Sequence, residues 1–529
     1  MAKYNINYGI DLGTTNSSIA RMNGNKIEVI QIGPSFIMPS CVHYRKNGDC
    51  FVGQKAYNEK KSLKLENRQN TFSEFKNTMG IDTLYDSSHA KKKLSSEDLS
   101  SLVLQQLKKS VRDENFNAAV ITVPADFDQT QIDATKRAGE LAGFDYIELL
   151  QEPIAASIAY LNEQKDLEGT WLVFDFGGGT FDAALVRRND EIMEVVDTMG
   201  DNNLGGKNID EAIVDEIIFP YLLDKYEFSE TLEDDTKRNE FRPLFKYYAE
   251  ECKKELTEKE KASVYVDDPI IDDNGDSVDV EIDISRSDFE KVISKIVDRA
   301  INISKELLSN NNIKAKDLLT ILPVGGPTYI PYFRDRIAVD IALNIDFSIN
   351  PMTAVSSGAA IYASAAMIPK ELQKRDLDKK QLTLGYPGTT ADDSVMLGVQ
   401  VKDGSKDGYA INVCLADKSW DSGSVELTDG AVVINLQLIK DAMNDFELKL
   451  FDGKGNSVEC DPSEFSIMQG TKIANPPLTH HVGISAVNKN GDEIFVPIIT
   501  KGTSLPAKAK RNFMSKRISG LQMLMIFLK

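Results

Sequence analysis

One stretch of the chain, WLVFDFGGGTFD at residues 171–182, restricts the possible fold more than any other. Its apolar first residues predict a strand that ends at Asp175, and a second apolar strand is predicted at residues 183–186. Between them, three glycines precede Thr180 and Asp182. Glycine permits positive φ angles and lets backbone N–H groups surround an anion, while Mg²⁺ is commonly held by carboxylates, waters and phosphates. We predict a hairpin that binds a phosphate group and a metal ion; a hairpin that only turns the chain is the less favoured alternative.

A similar pattern occurs near the start of the chain, YGIDLGTTNSSI at residues 8–19. A short apolar strand again ends in an acid, Asp11, and is followed by Gly13 and two threonines before another apolar strand. The two hairpins lie about 165 residues apart. They indicate a duplicated fold whose halves face each other, and we expect a nucleotide to bind between the halves.

The composition excludes several classes of protein. The 529 residues are too many for one hydrophobic core and predict roughly three to five units. The net charge of −20 argues against nucleic acid as a partner, because phosphate backbones bind basic surfaces. Five scattered cysteines and four histidines argue against disulfide and zinc frameworks. With no signal region and no apolar run long enough to span a bilayer, we expect a cytoplasmic protein without a membrane partner.

Between the hairpins, apolar residues at helical spacing predict helices at residues 99–112 and 129–142, the second with Asp128 as its N-cap. Residues 210–256 are predicted to be mostly helical. Alternating apolar residues around an Asn-Gly pair predict a hairpin within residues 262–284.

Six motifs resemble those of the seventy-kilodalton heat-shock proteins, a family of chaperones. They are DLGTTNS at 11–17, VITVPADF at 120–127, QEPIAASIAY at 151–160, DFGGGTFD at 175–182, LGGKNID at 204–210 and VGGPTYIP at 324–331. Their order and spacing are similar to those of the family and cover roughly residues 5–368. The resemblance implies an α/β fold: a duplicated actin-like (ribonuclease-H-like) two-lobed ATPase domain, followed here by a small all-β region.

The resemblance and the composition together predict how the chain divides. An ATPase domain at residues 1–370 would contain four subdomains, at roughly 1–40 with 116–190, 41–115, 191–225 with 305–370, and 226–304. The charged sequence KELQKRDLDKK predicts a linker at residues 371–380. A β-rich domain is expected at residues 381–478. Residues 479–529 are expected to form a partial β segment similar to the family's substrate-binding domain, with an apolar tail.

The resemblance also assigns an ATPase site. It implies that Asp11 and Asp175 hold Mg²⁺, mostly through water. It implies catalytic roles for Lys76 near the γ-phosphate and for the acids Glu152, Asp175 and Asp182 around the metal shell and the attacking water. The residues that it implies for binding ATP or ADP are Gly13, Thr14, Thr15, Asn16, Gly177, Gly178, Gly179, Thr180, Gly205, Gly206, Glu250, Lys253, Lys254, Gly325, Gly326 and Tyr329.

Four positions depart from the family pattern. Tyr329 stands where the family has an arginine at the adenine end, and Met352 where it has an acid, so altered affinity or base selectivity is expected. Ile132 and Glu148 replace arginines that in the family serve interdomain signalling and J-domain docking. A carboxylate in place of a cation is expected to repel a basic J-domain, with neutral drift as the alternative. A J-domain co-chaperone and a nucleotide-exchange factor are therefore candidate partners with altered docking residues.

Beyond residue 380, alternating apolar residues predict strands at residues 395–401, 409–415, 425–427, 432–438 and 446–451. The leucine-rich linker of the family has no counterpart here. Residues 479–515 resemble the first strands of the family's substrate-binding domain, which makes the preceding β region an insertion. By this resemblance most of the family's sandwich and its helical lid would be missing, and a truncated or frame-shifted gene is one expectation. The tail LQMLMIFLK is expected to pack, to bind a partner or to aggregate.

Two further motifs resemble known ligand-binding loops but lack residues that those loops require. Residues 200–208, GDNNLGGKN, resemble a Walker A loop, but the lysine comes one residue late and Asn208 replaces the Ser or Thr that binds magnesium. Asp272, Asn274 and Asp276 mimic a calcium loop, but serine occupies the glycine position. We expect a loop near the β- and γ-phosphates in the first case and a solvated hairpin in the second.

The leading interpretation is a chaperone-type ATPase of the stress response that couples nucleotide state to its β-rich C-terminal region and has unfolded or extended polypeptides as clients. The alternative is a nucleotide-dependent regulatory or scaffold protein that binds ATP without refolding clients, as the incomplete substrate-binding domain and Glu148 suggest. Nucleotide-sensitive binding of an extended peptide would separate the two. A sugar kinase on the same fold is disfavoured, because Lys76 and the QEP motif resemble chaperone features.

Overall fold

The computed structural model describes residues 4–23, 26–164, 167–189, 192–342, 344–402, 408–440, 442–470, 472–473, 482–487, 493–499, 507–514 and 521–528. Over these residues the protein is a mixed α/β structure with several separate sheets. Three large hydrophobic clusters lie within residues 6–363, and a further one lies within residues 382–467.

The first sheet is built around the strand that ends at Asp11. Up to residue 163 the elements are β1 (Tyr8–Asp11), β2 (Asn16–Asn23), β3 (Lys26–Val29), β4 (Met38–Pro39), β5 (Cys41–Tyr44), β6 (Cys50–Val52), α1 (Gln54–Tyr57), α2 (Leu65–Gln69), β7 (Thr71–Ser73), β8 (Tyr85–Ser87), β9 (Lys92–Leu94), α3 (Ser96–Ser110), β10 (Ala118–Val123), α4 (Gln129–Leu141), β11 (Tyr146–Gln151) and α5 (Glu152–Glu163). The strand order is β11-β10-β1-β2-β3, with β1 to β3 antiparallel and β10 parallel to β1. Every residue of β10 is buried, as expected of a parallel strand that is covered on both faces.

The second sheet repeats this arrangement. From residue 169 to residue 365 the elements are β12 (Gly169–Phe176), β13 (Phe181–Asn189), β14 (Ile192–Asp201), α6 (Gly206–Ile213), α7 (Phe219–Lys225), α8 (Ser229–Glu233), α9 (Asp235–Glu258), β15 (Lys261–Tyr265), β16 (Ile270–Ile271), β17 (Ser277–Val278), β18 (Glu281–Ser285), α10 (Arg286–Asn310), β19 (Leu318–Val324), α11 (Pro331–Asp340) and α12 (Ala354–Ala365). Strands β12, β13 and β14 are antiparallel, and β19 runs parallel to β12. Each sheet therefore has three antiparallel strands with a parallel fourth strand beside the first.

Helix α12 packs closely on β1 and on α5. A side chain at Gly9 would overlap the backbone of α12 near Ala360, and one at Gly358 would overlap the carbonyl group of Ala155. Small residues along the helix, in the sequence AVSSGAAIYASA, allow this approach. Close packing of this kind is characteristic of protein interiors, and it buries almost the whole of α12.

The structure confirms most of the predicted helices. In α4 the Asp128 carboxylate accepts a hydrogen bond from the Gln131 N–H at 2.9 Å, and the Gln131 side chain accepts one from the Asp128 N–H at 3.0 Å. Helix α3 begins three residues before the predicted start, because Ser95 caps it in the same way. The predicted helical segment 210–256 is formed by α6 to α9, and the predicted hairpin by β15 to β18.

The β region forms two facing sheets. Its strands are β20 (Lys380–Gly385), β21 (Thr389–Thr390), β22 (Ser394–Val401), β23 (Ala410–Leu415), β24 (Val425–Glu426), β25 (Ala431–Gln437), β26 (Met443–Phe451), β27 (Ser457–Val458), β28 (Cys460–Asp461) and β29 (Glu464–Gln469). The sheet orders are β25-β22-β20-β28 and β21-β29-β26-β23-β24. Leu397 of one sheet and Phe446 of the other belong to the same hydrophobic cluster, so the sheets pack face to face. All five predicted strands are confirmed, with ends that differ by up to three residues.

Hydrogen bonds join the β region to the N-terminal residues. The Tyr4 hydroxyl donates to the buried Asp461 carboxylate, which also accepts the Asp376 N–H at 2.9 Å. Arg375 donates to the carbonyl groups of Leu382 and Asp461 at 2.6 and 3.1 Å, and its guanidinium lies 5.5 Å from the centre of the Tyr4 ring. These contacts fix the start of β20 against the first residues of the chain.

After residue 470 the described strands are β30 (Lys472–Ile473), β31 (Val482–Val487), β32 (Glu493–Ile499), β33 (Ala507–Met514) and β34 (Leu521–Leu528). Strand β30 extends the second sheet by pairing parallel to β14. Strands β31 and β32 form one antiparallel hairpin, and β33 and β34, the latter from the apolar tail, form another. Among the helices of the described residues, none is both long and apolar enough to cross a bilayer.

Candidate functional site

The predicted hairpin at residues 171–182 is confirmed, and it faces the hairpin between β1 and β2. Its tip is closed by a hydrogen bond from the Gly177 N–H to the Thr180 carbonyl at 2.9 Å. The tips touch at two points. A methyl group on Gly178 would overlap the Thr15 side chain, and one on Gly179 would lie 2.8 Å from the methyl carbon of Thr14.

Two of the three glycines at the hairpin tip are needed for a different reason from the predicted one. None of Gly177, Gly178 and Gly179 has a positive φ, so the prediction that this conformation requires them was wrong. At Gly178 and Gly179 neighbouring atoms approach too closely to leave room for a side chain, whereas a Cβ on Gly177 would lie 3.2 Å from its nearest neighbour, the Thr180 carbonyl oxygen. Gly205 packs on the same tip, where a Cβ would lie 2.6 Å from the Gly179 nitrogen. Gly325, in contrast, does adopt a positive φ of 86°.

A cavity of about 720 Å³ opens between the two hairpins, within the size range of cofactor sites. The predicted residues that line it are Asp11, Gly13, Thr14, Thr15, Asn16, Lys76, Glu152, Asp175, Gly177, Gly178, Thr180, Gly206, Glu250, Lys253, Lys254, Gly325, Gly326 and Tyr329. Three predicted residues, Asp182, Gly179 and Gly205, do not line it. Gly179 and Gly205 support the hairpin tip, and Asp182 lies opposite Asp175 in the β12–β13 pair.

The floor of the cavity holds a buried lysine among acids. Lys76 Nζ lies 2.8 Å from Glu152 Oε1. Burial alone would lower the pKa of Lys76, but attraction to Glu152 and Asp11 raises it, so the lysine stays charged. Burial, with repulsion from Glu152, raises the pKa of Asp11 to about 7. Burial and repulsion from Glu152 and Asp11 raise the pKa of Asp175 well above its usual value.

The buried acids fit a divalent cation. Asp175 and Asp182 lie directly opposite each other on adjacent strands, where like charges are destabilising. Burial, with repulsion from Asp126 and Asp175, raises the pKa of Asp182. Among the residues that the structure describes, no three His, Cys, Asp or Glu side chains form a direct ligand set. Asp11 and Asp175 would therefore hold Mg²⁺ mostly through water, together with phosphate oxygens.

A second charged cluster of the cavity wall is built around α9. Glu250 Oε1 is 3.3 Å from Lys254 Nζ, and Glu250 Oε2 is 3.9 Å from Lys60 Nζ. Burial would raise the pKa of Glu250, but the two lysines lower it to about 2. Lys253 Nζ lies 2.6 Å from Asp210 Oδ1 and donates to the Gly206 carbonyl at 3.2 Å. Glu250 and Lys253 of α9 therefore line the cavity while forming ion pairs with residues outside α9.

Tyr329 and Met352, the two residues that depart from the family pattern at the adenine end, bring an aromatic ring and a thioether to the site. Tyr329 lines the cavity and donates its hydroxyl to Asn350 Oδ1 at 3.1 Å. The Met352 sulfur lies 3.0 Å from the position that a Cβ on Gly326 would take. Tyr329 and Met352 therefore line the cavity with uncharged side chains where the family has charged ones.

Sequence reasoning missed several residues of the cavity wall, among them Gln54, Asp210, Thr257 and Arg334. Asp210 belongs to the motif LGGKNID, but the ion pair with Lys253 that makes it part of the site is visible only in the structure. Burial, partly offset by Lys253, raises the pKa of Asp210 to about 6. Arg334 lies on α11, outside the matched motifs, and no spacing in the sequence indicated it.

Neither the loop that resembles Walker A, at residues 200–208, nor the segment that resembles a calcium loop, at residues 272–276, is a separate binding site. Asn208 Oδ1 accepts the Gly205 N–H at 2.8 Å at the start of α6, so it acts as a helix cap. Asp272 Oδ1 accepts the N–H groups of Asn274 and Asp276 at 3.0 and 2.9 Å, which is an ordinary turn.

These features define a mixed α/β protein with a polar cleft between two sheets of like topology. A profile of the family described as Hsp70 protein matches residues 7–88 and 81–385. Two proteins named chaperone protein DnaK, from Nitrosopumilus maritimus and Cenarchaeum symbiosum, are each 33% identical to this chain over 390 residues, which is 71% of this chain and 59% and 57% of theirs. The chain belongs to the Hsp70 family of ATP-binding heat-shock chaperones. It spans less than two thirds of the length of these curated relatives.

Proposed function

We propose that the chain binds ATP with Mg²⁺ in the cleft and hydrolyses it to ADP and phosphate, on an actin-like two-lobed ATPase domain at residues 1–370. The observation that carries the proposal is the convergence of Asp11, Lys76, Glu152 and Asp175 beneath two glycine hairpins. Phosphoryl hydrolysis depends mainly on positioning and charge stabilisation. The backbone donors, the acids and the one buried lysine of this site are suited to both positioning and charge stabilisation.

Each part of the site has a distinct proposed role. The backbone and hydroxyl groups of both hairpin tips hold phosphate oxygens, and Asp11 and Asp175 hold Mg²⁺, which when bound neutralises charge on the phosphates. Lys76, kept charged by Glu152, stabilises the charge that develops on the transferred phosphoryl group. Asp182 acts through its position opposite Asp175, orienting the metal shell and the attacking water.

The nucleotide site and the β region lie at opposite ends of α12. Val355, in its first turn, lines the cavity, and its last residue, Ala365, packs on Gly388 of the β region, where a side chain would collide with the Ala365 carbonyl. A helix of 12 residues spans about 18 Å. We propose that movement of α12 couples nucleotide state to the β region at residues 381–478, across a linker at residues 371–380.

The partners proposed for this cycle are those of a cytoplasmic chaperone: extended polypeptides as clients, a J-domain protein and a nucleotide-exchange factor. Glu148, at one proposed docking position, accepts a hydrogen bond from the Tyr362 hydroxyl of α12. A J-domain that docks here would meet a carboxylate already engaged with the coupling helix. We therefore propose an altered co-chaperone interface, with the segment at residues 479–529 as part of the client-binding region.

Single-turnover hydrolysis tests the proposed activity. With γ-labelled ATP and excess purified full chain, we expect ADP and labelled phosphate to form only when Mg²⁺ is present, and to stop forming when EDTA is added, because the acids alone cannot hold the phosphates. Hydrolysis that is unaffected by EDTA, or none at all in Mg²⁺, would contradict the proposal.

A further inference from the structure

Tyr329 belongs to a cation–π stack with Arg334 and Phe347. The guanidinium carbon of Arg334 lies 5.5 Å from the centre of the Tyr329 ring and 4.2 Å from the centre of the Phe347 ring. Tyr329 and Arg334 line the cavity, whereas Phe347 does not. The cation therefore lies over both rings, and the tyrosine and arginine side of the stack faces the proposed nucleotide site.

The members of the stack are held in place from several sides. The Tyr329 hydroxyl donates to Asn350 Oδ1, which also accepts the Met352 N–H at 2.9 Å. Arg334 Nε donates to the Thr328 carbonyl at 3.3 Å. The hydroxyl end of the tyrosine and one edge of the guanidinium are thus fixed by groups of the surrounding loops, so the stacking surface is formed before a ligand arrives.

A rigid flat surface of this kind suits a planar ligand. Aromatic rings and guanidinium groups both stack on planar π systems, and a cation over a ring face adds electrostatic attraction. Stacking on a base depends on the area of overlap and is largely independent of hydrogen bonding at the base edge. A purine offers more overlap than a pyrimidine.

We propose that Arg334 and Phe347 are positioning residues that hold Tyr329 as the base-stacking wall of the cleft, and that the stack gives the site its preference for purine over pyrimidine nucleotides. The inference rests on the proposed ATP site. It adds two residues that lie outside the matched motifs, and it assigns base selectivity to stacking at this wall.

The same helix supplies a matched control. Arg336, two residues further on in α11, also lies over a tyrosine ring, 5.6 Å from the centre of Tyr332. It forms ion pairs with Asp298 and Asp340, each at 2.7 Å, and does not line the cavity. Arg334 and Arg336 thus have similar chemistry, but only Arg334 contacts the proposed base wall.

The test is a titration of the full chain with ATP, CTP and inorganic tripolyphosphate, each with Mg²⁺. For Arg334→Ala and Phe347→Ala we expect the ATP affinity to fall by about five- to tenfold, the CTP affinity to fall less, and the tripolyphosphate affinity to stay unchanged. Phe347→Tyr should retain the wild-type preference, and Arg334→Lys, which lacks a planar group, should lose part of it. Arg336→Ala should bind all three ligands as the wild type does.

Three results would overturn the inference. The first is an equal loss for all three ligands, which would show a general structural effect. The second is an unchanged ratio of ATP to CTP affinity in both alanine variants, and the third is a wild-type chain that binds ATP and CTP equally. A wild-type chain that binds none of the three ligands would instead refute the proposed ATP site itself.

Discussion

Replacing Lys76 by methionine is expected to slow single-turnover ATP hydrolysis by about 10²- to 10³-fold, the usual cost of removing one preorganised group from a charge-stabilising site. Lys76 is the only described cation within hydrogen-bonding distance of Glu152, and it is buried at 6% exposure. Methionine keeps most of the volume of the side chain but removes the positive charge. The rate of phosphate release after rapid mixing, measured beside the affinity for ATP, checks the prediction.

The matched control for this variant is Lys246→Met. Lys246 is also largely buried, and it pairs with Glu74 at 2.8 Å and with Glu211 at 3.2 Å, away from the cavity. Breaking a buried ion pair costs about 3–5 kcal/mol of folding free energy, so both variants should unfold at lower urea concentration. Only Lys76→Met should lose hydrolysis. Equal hydrolysis rates in the two variants would show that Lys76 has a structural role alone.

The second large effect is expected at Gly178, where the two hairpins touch. A methyl group there would overlap the side chain of Thr15 and lie 3.2 Å from its backbone nitrogen, so Gly178→Ala must push the tips apart. Overpacking at a tight contact costs about 1–3 kcal/mol, which corresponds to a loss of ATP affinity of roughly 5- to 150-fold if the strain falls on the bound state. Titration with ATP and Mg²⁺ measures the loss.

Gly385→Ala is the control for Gly178→Ala. Gly385 lies in β20, has no positive φ, and has no atom within 4 Å of the position that its Cβ would take. This variant should bind ATP with wild-type affinity. Wild-type affinity in Gly178→Ala as well would mean that the hairpin tips do not hold the phosphates between them.

The hairpins and their order were predictable because each has a strong local pattern. An apolar strand, an acid, glycine and threonine follow one another within ten residues, and both hairpins form as predicted. The helix α4 was predictable for the same reason, since Asp128 and Gln131 cap it locally. The reason for Gly178 and Gly179 was not predictable, because it depends on Thr14 and Thr15, more than 160 residues away.

The parts of the site that sequence reasoning missed depend on tertiary packing. Arg334 reaches the cavity only because α11 brings it beside Tyr329 and Phe347. Asp210 became recognisable as a buried acid only when α9 placed Lys253 against it. The pairing of β30 with β14 was equally hidden, since two residues carry no strand pattern of their own. Local patterns specify elements, whereas contacts between distant elements complete the site.

Asp11 and Asp175, one from each hairpin, are proposed to hold Mg²⁺ together with ATP. Calorimetric titration of ATP into the wild-type chain, Asp11→Asn and Asp175→Asn, with Mg²⁺ and with EDTA, tests this proposal most directly. Because burial raises the pKa of both acids, their ionised forms cost folding free energy, and the amide variants should fold at least as stably. We expect one ATP per wild-type chain, tighter binding with Mg²⁺ than with EDTA, and loss of that difference in each variant. Equal wild-type affinity in Mg²⁺ and EDTA, or no binding, would contradict the account.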